Sequence, residues 1–453
     1  MGFRKRLTAL LFMGCLLTAE MFFGSRATME HHEMGNGSSF FAKDTLYFWY
    51  TDEALTDFVN SAALEYYEET GCRVVPEKQS GLEYLEAINE ASLRGDVMPD
   101  LYVITNDTLE KAALAGFAGE IEAGADDTSV FCQTAQDAVT YHDRMVGYPF
   151  YYETSVLLYN KTYLMDVAKA EIQAEAVEVA EFTDAELEKA AQERLIQLIP
   201  STLEDILTFS DNYDAPDNVE AIFKWDVSDI FYNYFFVGNY MKTGGDTGDD
   251  AEQIDINNSQ VRDCMQMYQD LNQFFSIDAK EVNYDLILQE FKEGKTVFTV
   301  ATTDAIGRLE EAKNAGEFPY EYGVAELPDI RTELETRSLS VTNVVVINGY
   351  SEKKKMANDF ARFLTEKKAD SLYERTGKIS AREGIPYENK NVEACMAEYR
   401  DSISMPKLIE TSNFWMQLEI GFTQIWTGAD IQTVLNELDA QMREQLAVSD
   451  AAQ

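Results

Sequence analysis

The chain has 453 residues, 45% of them hydrophobic and 12% aromatic, enough for two or three packed domains and against wholesale disorder. Eighty Asp and Glu oppose 37 Lys and Arg, a formal charge of -43 with a pI near 4.3. So acidic a surface repels phosphate backbones and anionic lipid. It argues against a nucleic-acid or peripheral membrane-surface protein and says nothing about fold.

Arg4, Lys5 and Arg6 precede the apolar run Leu7 to Phe23, the outline of a secretory signal, so residues 1–27 are set aside as signal peptide or anchor. Two exits compete. Cys15 after Phe12-Met13-Gly14 faintly resembles a lipobox, which would lipidate the cysteine, and Ser25-Arg26-Ala27 offers the small residues a signal peptidase reads. An uncleaved anchor is the third reading, since the run is interrupted by Glu20 and barely long enough to span a bilayer. Residues 28–43, with Gly35-Asn36-Gly37-Ser38-Ser39, read as a tether. No later segment reaches ~18 uninterrupted apolar residues.

Thr45–Tyr50 is the first strand expected, followed by a helix over Glu53–Glu69 with Leu55, Phe58, Val59, Ala62, Ala63 and Tyr66 at helical spacing. Strands at Arg73–Val75 and Asp100–Thr105 alternate with helices at Tyr84–Leu93 and Leu109–Ala115. That alternation predicts an α/β layer with a parallel or mixed sheet. Gly147-Tyr148-Pro149 leads into a β-rich run, Ser155–Tyr159. An Ala/Glu-rich helical stretch follows, with Thr183 and Glu186 as a capping box, and Pro200 starts a new helix capped by Ser201 or Thr202. Thr296–Ala301 and Val341–Ile347 are strands, Lys353–Thr365 an amphipathic helix, and Asn413–Leu446 helical with a break at Thr427-Gly428.

No nucleophile elbow, phosphate loop, dinucleotide fingerprint or metalloprotease motif occurs, and two of the three histidines, His31 and His32, fall in the tether. With no CxxC and no Cys/His cluster, no metal or other cofactor is expected. Cys72, Cys132, Cys264 and Cys395 could pair in three ways, which spacing does not decide. Aromatic residues beside polar ones at strand ends stand out instead: Trp49-Tyr50-Thr51-Asp52, Asn106-Asp107, and Tyr148 to Glu153. In open α/β sheets ligands sit beyond the carboxyl ends of strands. Flat aromatic faces with amide and carboxylate acceptors suit a sugar. Core packing for the aromatics, and capping of the helix at Leu109 for Asn106 and Asp107, are the plainer readings.

The segment Gly147 to Lys161, GYPFYYETSVLLYNK, resembles the first inter-lobe crossing of solute-binding protein family 1, the maltose-binding-protein type, which delivers ligands to ATP-binding-cassette importers. Met98-Pro99-Asp100-Leu101-Tyr102, Pro200-Ser201-Thr202-Leu203-Glu204-Asp205, Phe291 to Phe298 and Tyr322-Gly323-Val324-Ala325 with Leu327-Pro328 are similar to further landmarks in family order, over residues 45–430. The resemblance implies a two-lobe periplasmic-binding-protein-like α/β fold. The chain would cross the hinge three times, near Pro149, Val341 and Pro386. Residues 44–150 and 343–388 would form lobe one, and 151–342 and 389–453 lobe two.

The same resemblance implies a ligand set without catalysis. Trp49 matches an aromatic after the first strand, Asn106 and Asp107 the polar pair after the third, and Glu153, beside Tyr152, the crossing-segment acid that accepts sugar hydroxyls. Tyr232 and Tyr234 lie where lobe two offers a stacking aromatic, and Trp415 matches its sugar platform. Asp304 departs from the pattern, standing with Thr302 and Thr303 where the family often has Gly and Trp. The implied protein is an exported, non-enzymatic monomer, free or anchored through Cys15, that captures a carbohydrate and presents it to permease subunits. A polyamine or other cationic cargo, a secreted glycan-acting enzyme, and a sensor without a transporter are the competing readings.

Overall fold

A computed structural model describes residues 45–80, 84–119, 121, 129–176, 183–408 and 412–452. The expected export signal and tether lie outside the described residues, as does Glu120. The strands run β1 (Thr45–Tyr50), β2 (Arg73–Lys78), β3 (Leu101–Thr105), β4 (Thr140–Tyr141), β5 (Arg144–Met145), β6 (Tyr148–Asn160) and β7 (Ala221–Phe223). They continue with β8 (Lys242–Thr243), β9 (Ile254–Asp255), β10 (Thr296–Thr302), β11 (Tyr322–Ala325), β12 (Leu339–Ile347), β13 (Ile379–Ser380) and β14 (Ile403–Ser404). The principal sheet is mixed, ordered β2-β1-β3-β12-β6-β10-β7, with β1 and β3 parallel and β12 antiparallel to both β3 and β6.

The crossing segment is one strand of 13 residues, longer than the run Ser155–Tyr159 that composition marks. Its first half pairs with β12 and β13, and its second half lies between β10 and β11. Twelve of its side chains are buried, so neither face reaches water over most of its length, and it reads as a continuous apolar run. Pro149 lacks the N–H a ladder needs, and the pairing slips beside it: Asn343 faces Tyr151 while Val344 faces Pro149.

On the β1–β3 side, Leu46, Phe48 and Tyr50 pack with Phe58, Tyr66, Phe360 and Phe363 on one face, and Trp49, Tyr102 and Ile104 with Tyr84 and Ile88 on the other. Beyond Ser155 a separate core forms around Trp225, which stacks on Phe223 at 4.5 Å and meets Trp426 edge-on at 5.4 Å. Buried indoles need acceptors: Trp225 Nε1 donates to Asn233 Oδ1 (2.8 Å) and Trp426 Nε1 to the Ile277 carbonyl (2.9 Å). The capping box expected at Thr183/Glu186 forms, and Thr202, one of the two caps expected for the next helix, forms a second box with Asp205. Their helices are Asp184–Leu198 and Leu203–Asn212. The C-terminal stretch divides at Thr427-Gly428 into Ser412–Trp426 and Ile431–Ala452. The Lys353–Thr365 helix is shorter than its pattern, ending at Arg362 in a π-turn over Phe363–Lys367. No disulfide joins the described cysteines, and Cys72, Cys264 and Cys395 are buried in three different apolar clusters.

Two close tolerances fix this frame. A Cβ on Gly238 would stand 2.0 Å from the Arg337 carbonyl, where the aromatic turn Tyr234–Phe236 meets the approach to β12. Gly238→Ala is therefore expected to lower unfolding free energy by about 1–3 kcal/mol, read as a lower urea midpoint with unchanged slope. The second tolerance is Glu398, buried on the helix Asn391–Asp401 and accepting from Leu327 N at 2.7 Å. Burial pushes its carboxyl up to about 7, against the opposing hydrogen bonds of Ser338 and Leu327. A raised folded value favours the fold below the unfolded pKa and loses that advantage as pH climbs from about 4.5 to about 7. Glu398→Gln, which mimics the protonated acid, should match wild type near pH 5 and exceed it by about 2–3 kcal/mol at pH 8 in chemical denaturation.

Candidate ligand-binding site

Alternation along β6 decides which of its side chains share a face. Tyr151, Glu153 and Ser155 point one way, and Tyr152 and Thr154 the other. Lys378, the residue before β13, bridges two acids: its Nζ lies 3.0 Å from Glu153 Oε1 and 3.0 Å from Asp52 Oδ2, and 5.4 Å over the Tyr151 ring. Burial alone would push this ammonium down, but the carboxylates of Glu153 and Asp52 outweigh it and hold the group above the ordinary lysine value. Asp52 arrives from the turn after β1, where its other oxygen accepts from Ala54 N at 2.9 Å. Burial first, then Asp52 and Glu153, raises the Tyr151 phenol far above its usual range, so it stays a neutral donor.

Two residues further along β6, Ser155 pairs in register with Thr302 of β10 and donates to the Phe231 carbonyl at 3.0 Å. That register brings the end of β10 and the turn Ile230–Tyr232 beside Glu153's face. There Tyr232 stacks on Tyr284 (5.0 Å, 18°), and the Tyr284 hydroxyl donates to Asp304 Oδ1 at 2.7 Å. Thr302 Oγ1 also donates to Asp304, and Arg308 stands 3.6 Å from its other oxygen and 5.4 Å over the Tyr284 ring. Burial raises both phenols, Tyr232 further through Asp229 and Tyr284 through Asp304. The helix Ser412–Trp426 packs against the same turn.

Of the expected residues, Glu153 joins Asp52, Lys378 and Tyr151, while Tyr232 and Asp304 join Tyr284 at the end of β10. The others are placed differently. Tyr152 lies on the opposite face of β6, stacked flat on Tyr399 at 3.7 Å. Trp49 turns into the core beside Tyr84 and Tyr102, its Nε1 donating to Glu77 (3.2 Å). Trp415 is mostly buried, edge-on to Tyr234 at 5.2 Å, with its Nε1 lacking a hydrogen-bond partner among the described residues. Asn106 is fully buried as a brace: Oδ1 accepts from Thr342 N (2.9 Å) and Nδ2 donates to the Met405 carbonyl (2.6 Å). Neither it nor Asp107 caps the helix Leu109–Leu114. Burial raises the Asp107 carboxyl, whose Oδ1 also has no partner among the described residues. Tyr151 was legible from its i, i+2 relation to Glu153, and Asp52 from the polar run after β1. Lys378 carried no local signal.

The chain belongs to a family of bacterial extracellular solute-binding proteins, whose model matches residues 61–395. Over 410 residues it is 20% identical to the maltodextrin-binding protein MdxE of Bacillus subtilis, covering 88% of this chain and 87% of that one. Its fold is similar to that of an extracellular solute-binding protein from Staphylococcus aureus in complex with maltose (TM-score 0.72, 22% identity, 89% of this chain and 98% of that one). It is equally similar to a cyclo/maltodextrin-binding protein complexed with maltotetraose (TM-score 0.72, 20% identity, 89% and 97%). The two-lobe architecture is therefore the fold of this chain.

The Asn106 brace joins β3, β12 and the segment after β14. Asn106→Ala removes both hydrogen bonds and leaves a buried N–H and carbonyl without them, an expected loss of about 2–4 kcal/mol in denaturant unfolding.

Proposed function

We propose that this protein is the ligand-capturing component of an ATP-binding-cassette importer and that its cargo is a neutral α-glucan oligosaccharide of the maltodextrin kind. The observation that carries the reading is the cluster of Tyr151, Glu153 and Lys378 with Asp52 from the turn after β1, with a second cluster of Tyr232, Tyr284 and Asp304 at the end of β10, which pairs with β6 from Ser155 onward. Sugar hydroxyls donate and accept at once, and sugar C–H faces pack on phenol rings, so a mixed set of carboxylates, an ammonium and tyrosines fits them. Similarity to proteins named for maltodextrin, or solved with maltose and maltotetraose, supports the same cargo.

We place lobe one at residues 44–150 with 343–388 and lobe two at 151–342 with 389–453. Ligand bridging the lobes would shift the population toward a closed form that permease subunits read. The chain would work exported and monomeric, released or held through Cys15, and without chemistry on its ligand. A glycan-cleaving enzyme would consume the sugar it binds; a binding protein returns it intact.

Titration of the full chain with maltotetraose should raise its unfolding temperature saturably, about 2.7 kcal/mol of added stability at a hundredfold excess over the dissociation constant. The sugar should be recovered unchanged. No shift with any maltodextrin from two to seven units, or hydrolysis of the sugar, would reject the reading.

A further inference from the structure

We propose that Lys378 is a specificity residue: clamped between Asp52 and Glu153, its ammonium occupies the place where a cationic solute would bind and leaves a hydrogen-bonding set suited to an uncharged sugar. The inference rests on the solute-binding reading above. The register of the β13–β6 pairing, Ile379 opposite Tyr152 and Ser380 opposite Tyr151, continues to put Lys378 opposite Glu153. The contact is thus a cross-strand charge pair fixed by the ladder and not a chance meeting of surface groups.

Take the lysine away and the remaining groups describe an ammonium site. Asp52 and Glu153 each lie 3.0 Å from the same point, and the Tyr151 ring forms its floor at 5.4 Å. Two converging carboxylates over an aromatic face attract a free primary ammonium strongly. The chain fills that position with its own ammonium, which is tethered and loses no translational freedom on binding, so a free diamine competes poorly. Asp52, Glu153 and Lys378 together carry a charge of about -1 instead of -2, and Arg308, shared between Asp304 and Asp285, leaves that second group at about -1 as well. The same balance disfavours a uronate, whose carboxylate would face a net negative group. What remains is neutral-sugar chemistry. An ammonium has three N–H donors, of which two point at carboxylates here, so the third is available to a hydroxyl or ring oxygen.

The test is calorimetric titration of the full chain and its variants with maltotetraose and with spermidine, at about 0.15 M salt, where diffuse attraction between a polycation and an acidic surface is screened. Lys378→Met keeps the stem over Tyr151 and removes the charge. It should weaken maltotetraose at least tenfold and strengthen spermidine at least tenfold relative to wild type, and the double variant Glu153→Gln/Lys378→Met should lose the spermidine gain. Lys378→Arg should keep the wild-type preference. If Lys378→Met does not fold, Lys378→Gln reads the same charge loss with a polar side chain. Spermidine affinity unchanged in both charge-removing variants, or a gain that survives Glu153→Gln, overturns the proposal. A wild type that binds no maltodextrin, with the spermidine gain still seen, would reject the cargo assignment while upholding the role of Lys378.

Discussion

One backbone constraint organises the molecule. β6 is long enough to join two halves of the sheet, pairing with β12 and β13 up to Thr154 and with β10 and β11 from Ser155. The ladder of the first half ties it to β12 and β13, and that of the second half to β10 and β11. Because a strand's side chains alternate, the register that satisfies both halves also sets Tyr151, Glu153 and Ser155 on one face. A slip of one residue would turn Tyr152 and Thr154 outward and bury a charge. The candidate site is thus a by-product of joining the two halves of the sheet.

The polar groups around this joint divide into braces and presenters. Asn106, Glu398 and Thr154 spend their hydrogen-bonding capacity on the protein: Asn106 on Thr342 and Met405, Glu398 on Leu327, Thr154 on Ser338 and Leu339. Fully satisfied buried networks of this kind hold strands in a single arrangement. Asp52, Glu153, Lys378 and Asp304 are paired as well, but each keeps part of its side chain in solvent. Their partners are other site residues, so a ligand meets a set already oriented and loses less entropy on binding.

Much of the frame was legible in the residues. Local patterns located β1, β3, β10 and β12 and many of the helices, the capping box formed where Thr183 announces it, and Thr202 caps the helix after Pro200. Glu153 could be named because it stands in a distinctive segment, Tyr232 because the family order offers a stacking aromatic there, and Asp304 because it departs from that order. The shortlist was less accurate about direction. Trp49, Tyr152 and Trp415 are aromatic residues at the expected places whose side chains pack into cores, since burying a large ring is favourable wherever a lobe has room for it. Asn106 was read as a ligand or a cap and is a brace.

Local pattern, turn chemistry and composition by themselves determined the α/β class and the position of many helices and strands, because those depend on neighbours within a few residues; the full length of the crossing strand did not follow from them. Only the tertiary structure decided which face of β6 each residue takes, which carboxylates keep part of their side chains in solvent, and that Lys378 joins them. Asp52, Glu153 and Lys378 lie far apart along the chain, and an ion pair depends on distance in space. It is the shared ladder of β6 and β13, together with the end of β1, that closes that distance to 3.0 Å.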